Sequence, residues 1–378
     1  MKIRELLERK TPFYLYDMTV LGKNLGSLKK AADHYGYKVH YAVKSNARLE
    51  ILRKVKDYGF GVDCVSGGEL LQSLKAGYTG SEIVFAGVGK SDDELRLGLK
   101  HDIFCFNCES LQELEVLAEI ARHESRSARI ALRIKPNVDA RTHHYITTGL
   151  EENKFGIDFT ELPEAMRIIE SNPELNFQGI HFHIGSQITD LSVFRNLCTK
   201  VNQVLEWFRE RSIKIEHLNL GGGLGVDYER PDSDEAKYEE FFGIFNDQLN
   251  LRAEQIHFEL GRVITAHCGS LISKVLYTKS GIHTDFLILD AGMTELIRPA
   301  LYQAYHKIEN WSQSKAQSEY KYDVVGPICE SSDYFGKAVR LPESKRGDLI
   351  AIRSAGAYGE VMASNYNLRE RGEALFIN

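Results

Sequence analysis

Long apolar runs are missing from this chain. No stretch approaches the roughly 20 residues that cross a bilayer, so no membrane partner is expected. The opening segment, MKIRELLERK, lacks the apolar centre of a secretory signal, which makes the cytoplasm the expected location. Basic excess is missing too. Lys and Arg number 47 against 53 Asp and Glu, a formal net charge of -6, which argues against a large face for nucleic acid. Six cysteines in 378 residues are too sparse for a disulfide scaffold. Cys105 and Cys108 form one C-x-x-C, but a zinc ribbon needs a second pair and none exists. A redox pair should open a helix, whereas IFCFNCES reads as a strand entering a loop. Buried thiols and no metal site are the expectation. Internal repeats and low-complexity linkers are also absent.

Short apolar runs alternate with amphipathic stretches over most of the length. Eight runs read as strands: KVHYAVK from 38, FGVDCVS from 60, IVFAGVG from 83, IFCFN from 103, IALRIKPN from 130, FQGIHFHIG from 177, IEHLNLGGG from 215 and QIHFELGR from 255. They are rich in Val, Ile and Phe, and several end at Gly or Asn. Between many of them, apolar residues recur at three and four, the helical spacing. Eight strands in a βα rhythm fit a closed (β/α)8 TIM-type barrel better than an open sheet. Lys44, Asp63, Arg133, His183, Gly221 to Gly223 and Glu259 gather at the C-terminal ends of these runs, the face where such a barrel carries its chemistry. Beyond about residue 263 the rhythm becomes strand and turn, from VITAHCGSLISKVLYTKS through TDFLILDAG, YKYDVVG and DLIAIRSAG to ALFIN. A second, mostly antiparallel β-barrel or sandwich domain follows. TPFYLYD lies outside the eight and can join it. The expected division is a barrel over 21–265 and a discontinuous β domain over 1–20 and 266–378.

Several motifs carry chemistry. YAVKSN ends a strand at Lys44, where burial lowers an amine's pKa and lets it form an imine with an aldehyde. HFHIGSQ puts His181 and His183 on alternate strand positions, able to ligate a metal or to lay a ring on a flat cofactor. No acidic cluster nearby completes a metal site. LNLGGGLG closes a strand with Gly221, Gly222 and Gly223, whose N–H groups can converge on an anion. Neither the dinucleotide nor the Walker A spacing is present. FELGR supplies Glu259 and Arg262: a carboxylate beneath a pyridine nitrogen keeps the ring protonated, and an arginine suits a phosphate or carboxylate. MTELIRPALY offers Arg298 and Tyr302, four apart and on one face if helical. VGPICESSD offers Cys329 and Glu330 in a Gly- and Pro-bounded turn, and SAGAYG sets Tyr358 among small residues. Singly, each has an ordinary reading as core residue, tight turn or surface ion pair.

Together, PFYLYD, YAVKSN, DCVSGGEL, LRIKPN, HYITTGLEENKFGI, HFHIGSQ, LNLGGGLG, FELGR, DAGMTELIRPALY, GPICESSD and GAYG run in an order that resembles the fold-type III pyridoxal-phosphate decarboxylases, and among them the diaminopimelate decarboxylases. The resemblance implies an alanine-racemase-type barrel, pyridoxal 5'-phosphate as cofactor, and a homodimer with shared active sites. It implies decarboxylation of meso-2,6-diaminopimelate to L-lysine and CO2, the last step of lysine biosynthesis. Lys44 is then the Schiff-base lysine, His183 stacks on the ring, and Ser186 lies near the phosphate. Gly221, Gly222, Gly223, Gly261 and Arg262 surround that phosphate, Glu259 holds the ring nitrogen, and Tyr358 contacts cofactor and substrate. Arg262, Arg298 and Tyr302 hold the substrate's distal carboxylate. Cys329 is the proton donor and Glu330 the partner of the distal amino group, both entering from the other subunit. One departure is Leu260, where the family usually has proline; the role of Glu259 is expected to survive it. Alanine racemases meet the ring nitrogen with arginine, so Glu259 argues for a decarboxylase. Ornithine- and arginine-type decarboxylases take substrates with a cationic end, which Arg298 disfavours. A non-enzymatic pyridoxal-phosphate-binding barrel would lack the β domain and Cys329.

Overall fold

In the computed structural model, residues 8–138, 154–233 and 236–378 are described. Of HYITTGLEENKFGI, all but its last four residues lie outside them. The chain divides into two compact units. One comprises Leu25–Gly225 and Ala236–Arg262; the other comprises Met1–Asn24, Val226–Glu235 and Val263–Asn378.

The first unit is a closed barrel of eight parallel strands: β2 (Lys38–Ala42), β3 (Gly61–Cys64), β4 (Ile83–Phe85), β5 (Cys105–Cys108), β6 (Ala128–Arg133), β7 (Leu175–His181), β8 (His217–Asn219) and β9 (Gln255–Leu260). Each of the eight runs read from the sequence supplies one of them. β9 pairs back onto β2, His40 lying beside Glu259, which closes the cylinder. Three of the helices start where serine caps them. Ser66, Ser91 and Ser110 each accept the N–H of the residue three ahead, Glu69, Glu94 and Glu113. Ser91 and Glu94 form a reciprocal capping box. Each serine therefore ends a βα loop and aims the next helix, α1 (Gly67–Lys75), α2 (Asp92–Lys100) and α3 (Leu111–His123), leaving the strand's C-terminal end open. Cys105 and Cys108 both lie in β5, buried, and burial pushes the Cys105 thiol up to about 12. Inert thiols are what such an environment produces.

The second unit is built on an eight-stranded sheet. Its main path runs β12 (Ile308–Asn310), β15 (Leu349–Ile352), β10 (Gly269–Ser280), β11 (Asp285–Leu289), β13 (Tyr320–Val325) and β14 (Tyr334–Leu341). β1 (Phe13–Asp17) joins β10 antiparallel and β16 (Glu373–Ile377) parallel. TPFYLYD thus belongs to this sheet. Most pairs are antiparallel; β11–β13 and β1–β16 are the parallel ones. The run beginning VITAHC is not strand from its start. Arg262–Thr265 is a helical turn and β10 begins at Gly269, where a Cβ would sit 2.4 Å from Gly356 Cα. β12 and β14 escape the sequence reading. β12 has only three residues, and β14, YFGKAVRL, carries charges on an exposed face where alternation is weak. Phe13 and Leu15 pack with Ile272, Leu349 and Ala351 in this unit's core.

Candidate active site

The C-terminal end of the barrel interior is polar. Alternation along the strands points Asp63, Asn107, Arg133, His181, Asn219 and Glu259 inward, and all six are buried. Such groups are costly inside a protein unless each finds a partner. Glu259 shows how this is met. Its Oε1 accepts from Asn107 Nδ2 at 3.0 Å and Asn219 Nδ2 at 2.7 Å, and its Oε2 meets His181 Nε2 at 3.0 Å. Burial alone would raise this carboxyl. His181, Lys44 and His183 outweigh it and hold Glu259 well below the usual carboxylate range, as an anion. A carboxylate has about four acceptor positions; three are taken, and one on Oε2 remains.

Lys44 stands in the turn Val43–Ser45 that follows β2. Its Nζ lies 3.0 Å from Asp63 Oδ2, with the lysine side chain 34% exposed and the aspartate 0%. Burial first, then the charge of Glu259, push Asp63 up to about 7 against the pull of Lys44. Asp63 is thus a carboxyl that takes up a proton near neutrality within hydrogen-bond reach of the Lys44 amine.

His183 lies just past the end of β7 rather than within it, so its ring is not on the same ladder as His181. Gly222 N–H donates to its Nδ1 at 3.2 Å, which fixes the neutral tautomer with the proton on Nε2. Burial, then Arg133 and Lys44, hold its pKa well below the ordinary value. A neutral ring in a fixed orientation results.

Three loops meet after β7, β8 and β9. Gly221 and Gly223 take φ of +66° and +109°. A Cβ on Gly222 would stand 2.0 Å from the Glu259 carbonyl oxygen, and one on Gly223 would stand 2.8 Å from the Gly185 oxygen. Only glycine fits. Two of the three loop N–H groups are used inside the barrel, Gly221 by Asn219 Oδ1 at 2.9 Å and Gly222 by His183. Beside this loop, Arg262 donates through Nε and Nη2 to Ser186 Oγ at 3.2 and 3.0 Å. Leu260 continues β9 in register with Tyr41, where proline would have no N–H to offer.

The residues singled out in the second unit have their own supports. Arg298 opens the short helix Arg298–Tyr302 and is buried. Its Nε donates to His306 Nε2 at 3.2 Å, and its guanidinium lies 5.4 Å from the Tyr228 ring centre and 6.0 Å from that of Tyr302. His306 donates in turn from Nδ1 to the Arg353 carbonyl at 2.9 Å, which sets the tautomer that accepts from Arg298. Cys329 and Glu330 are exposed, in the loop between β13 and β14. Asp333 anchors this loop by accepting the N–H groups of Ile328 and Met293, both at 2.6 Å. Glu330 accepts from Tyr366 Oη at 2.8 Å. Tyr358 takes φ of +55°, a strained backbone for a bulky residue, held between Gly356 and Gly359.

Sequence reasoning overlooked Asn107, Asn219, His306 and Asp333. A signal was present for Asn107, which closes the run IFCFN, but a terminal Asn reads first as a turn residue. His306 gives no such signal.

The pyridoxal-dependent decarboxylase family, by the model of its pyridoxal binding domain, matches residues 22–266. A diaminopimelate decarboxylase from Bacteroides thetaiotaomicron is 53% identical over 95% of this chain and 94% of its own length. The crystal structure of diaminopimelate decarboxylase from Helicobacter pylori complexed with L-lysine superposes with a TM-score of 0.94 at 40% identity, covering 100% of this chain and 94% of that one. Lysine/ornithine decarboxylase from Vibrio vulnificus shares the fold, with a TM-score of 0.84 at 22% identity. Fold and site define a pyridoxal-dependent decarboxylase of the barrel type, and within that class the chain belongs to the diaminopimelate decarboxylase family.

Proposed function

We propose that this protein removes CO2 from the D-configured centre of meso-2,6-diaminopimelate and releases L-lysine, the last step of lysine biosynthesis. The carrying observation is Glu259, a buried anion with one acceptor position left, on the barrel face that also carries Lys44. The residues present fit pyridoxal 5'-phosphate. Lys44 would bond its aldehyde carbon, His183 would lie on its ring, and Glu259 would hold the ring nitrogen. Ser186, Gly221, Gly222, Gly223, Gly261, Arg262 and Tyr358 would hold the phosphate and rim. When bound, the protonated ring serves as the electron sink for the pair left by departing CO2.

The chain's own residues do the rest. Asp63 takes the proton that Lys44 must lose. Arg262, Arg298 and Tyr302 grip the distal carboxylate, which selects diaminopimelate over substrates that end in a cation. Tyr358 limits the space around the reacting carbon. Cys329 delivers the proton to that carbon and Glu330 binds the distal ammonium. We assign these two to the site of the other protomer in a homodimer. Their exposure in this single chain fits that assignment. The six free thiols fit a reducing compartment, and we place the reaction in the cytoplasm.

The test is lysine and CO2 formation from meso-diaminopimelate by the purified protein, with and without added pyridoxal phosphate, with ornithine and arginine as controls. Cofactor-dependent lysine supports the reading. Turnover of ornithine or arginine instead would move the substrate to the cationic class and remove Arg298 from its role.

A further inference from the structure

Glu259 is held from two sides by different chemistry. The two asparagine amides both bind Oε1. His181 alone binds Oε2, the oxygen with the remaining acceptor position. His181 is 1% exposed, and its other ring nitrogen, Nδ1, is buried with no hydrogen-bond partner among the described residues. His181 Nε2 points at Oε2 from 3.0 Å. Opposite an ionised carboxylate, that nitrogen can only donate.

From this geometry we infer that His181 is a positioning residue that sets the protonation state of the cofactor's ring nitrogen by acting through Glu259. The inference rests on the cofactor reading above. A ring N–H bound to Oε2 shares its proton with the carboxylate. The proton stays on nitrogen only while the carboxylate is the weaker base. Each hydrogen bond donated to the carboxylate weakens it as a base. His181 supplies the one donor on the oxygen where the proton would otherwise settle. It also occupies one acceptor position of Oε2. The other titratable groups around Glu259 are Lys44 and Asp63 from β2 and β3, His183 after β7, Cys105 of β5, and His40 and His257 deeper in the barrel. Asn107, Asn219 and His181 donate the hydrogen bonds described at the two carboxylate oxygens of Glu259.

The test uses holoenzyme loaded with pyridoxal phosphate labelled with ¹⁵N in the ring, whose nitrogen chemical shift reports its protonation directly. His181→Gln keeps an N–H where Nε2 stands; His181→Leu removes it at similar volume. His181→Asn is polar but too short to reach Oε2, and it serves where the leucine variant does not fold. We expect the ring-nitrogen shift at neutral pH to move towards that of the unprotonated ring in His181→Leu or His181→Asn, because the proton passes to a carboxylate that has lost one charge-assisted hydrogen bond. His181→Gln should stay close to the parent. If all variants keep the parent's chemical shift, or if the glutamine variant moves as far as the others, the inference is overturned, because the imidazole then acts by filling space. A parent that binds no cofactor overturns the cofactor reading and this inference with it.

Discussion

Lys44 illustrates how one side chain's chemistry is set by neighbours that sequence distance hides. Asp63 lies 19 positions later, yet it accepts a hydrogen bond from the lysine because β2 and β3 are adjacent strands whose ends fall at one level. Replacing Lys44 with alanine should abolish turnover and let the cofactor pass through a desalting column; a Lys44→Ala variant with normal lysine production would remove the residue from its role. Arg298 belongs to the same scale. A buried guanidinium oriented by His306 and bracketed by two rings is pre-positioned for a carboxylate rather than recruited by it. Arg298→Met should lower kcat/KM for diaminopimelate by roughly 10- to 100-fold, the loss of one charge-assisted interaction, with cofactor binding unchanged. Steady-state kinetics beside a cofactor titration separates the two.

At the scale of elements, the site depends on how closely the strand ends and loops approach. The glycine loop after β8 lies directly on β9, leaving no room for a Cβ on Gly222. The obstructing atom is the Glu259 carbonyl oxygen, which is backbone and cannot swing aside. Gly222→Ala should therefore displace the residue that holds the ring nitrogen as well as the loop. We expect a loss of stability of about 1–3 kcal/mol, as overpacking produces, together with weakened cofactor affinity. Denaturant midpoints of the cofactor-free protein and a binding titration check both. Unchanged values in the two experiments would mean that the loop does not depend on this contact. The same crowding explains why the three-glycine run reads as a phosphate loop in sequence yet spends two N–H groups on Asn219 and His183.

Across the whole barrel, polar layers continue below the site. His40 Nε2 meets His257 Nδ1 at 2.9 Å, and His257 Nε2 meets His217 Nδ1 at 3.2 Å. These three rings line a cavity of about 470 Å³ at the end where the strands begin. Burial holds His40 down to about 4 and His257 down to about 2, so both are neutral in the folded state. Unfolded, a histidine takes up a proton near pH 6.5. Between pH 6.5 and about 4 the unfolded chain thus binds the extra His40 proton, and stability falls as pH falls through that window. Asp63 works in the opposite sense. Its folded pKa of about 7 lies above the unfolded value, so its contribution is present at low pH and is lost as pH rises towards 7. A difference measurement isolates the histidine. The stability of His40→Asn relative to the parent should rise by a few kcal/mol, at most about 3, between pH 6.5 and 4. Urea denaturation across that range decides it; a constant difference would show that His40 is not buried neutral.

The sequence by itself determined the rhythm and the chemistry-bearing list. Eight apolar runs, several closed by Gly or Asn and many separated by a helix period, point to a parallel barrel, because buried parallel strands and amphipathic helices carry different periodicities that survive without coordinates. Lys44, Glu259 and the glycines were legible because each ends a run. The tertiary structure decided which side chains meet. Asn107, His181 and Asn219 come from three separate strands, and only closure of the cylinder brings them to one carboxylate. It also decided protonation, since the charge of Glu259 and the raised pKa of Asp63 follow from burial and neighbours that no spacing encodes. The short strand β12 and the charged strand β14 were invisible for a related reason: pairing within the sheet, not their own pattern, makes them strands.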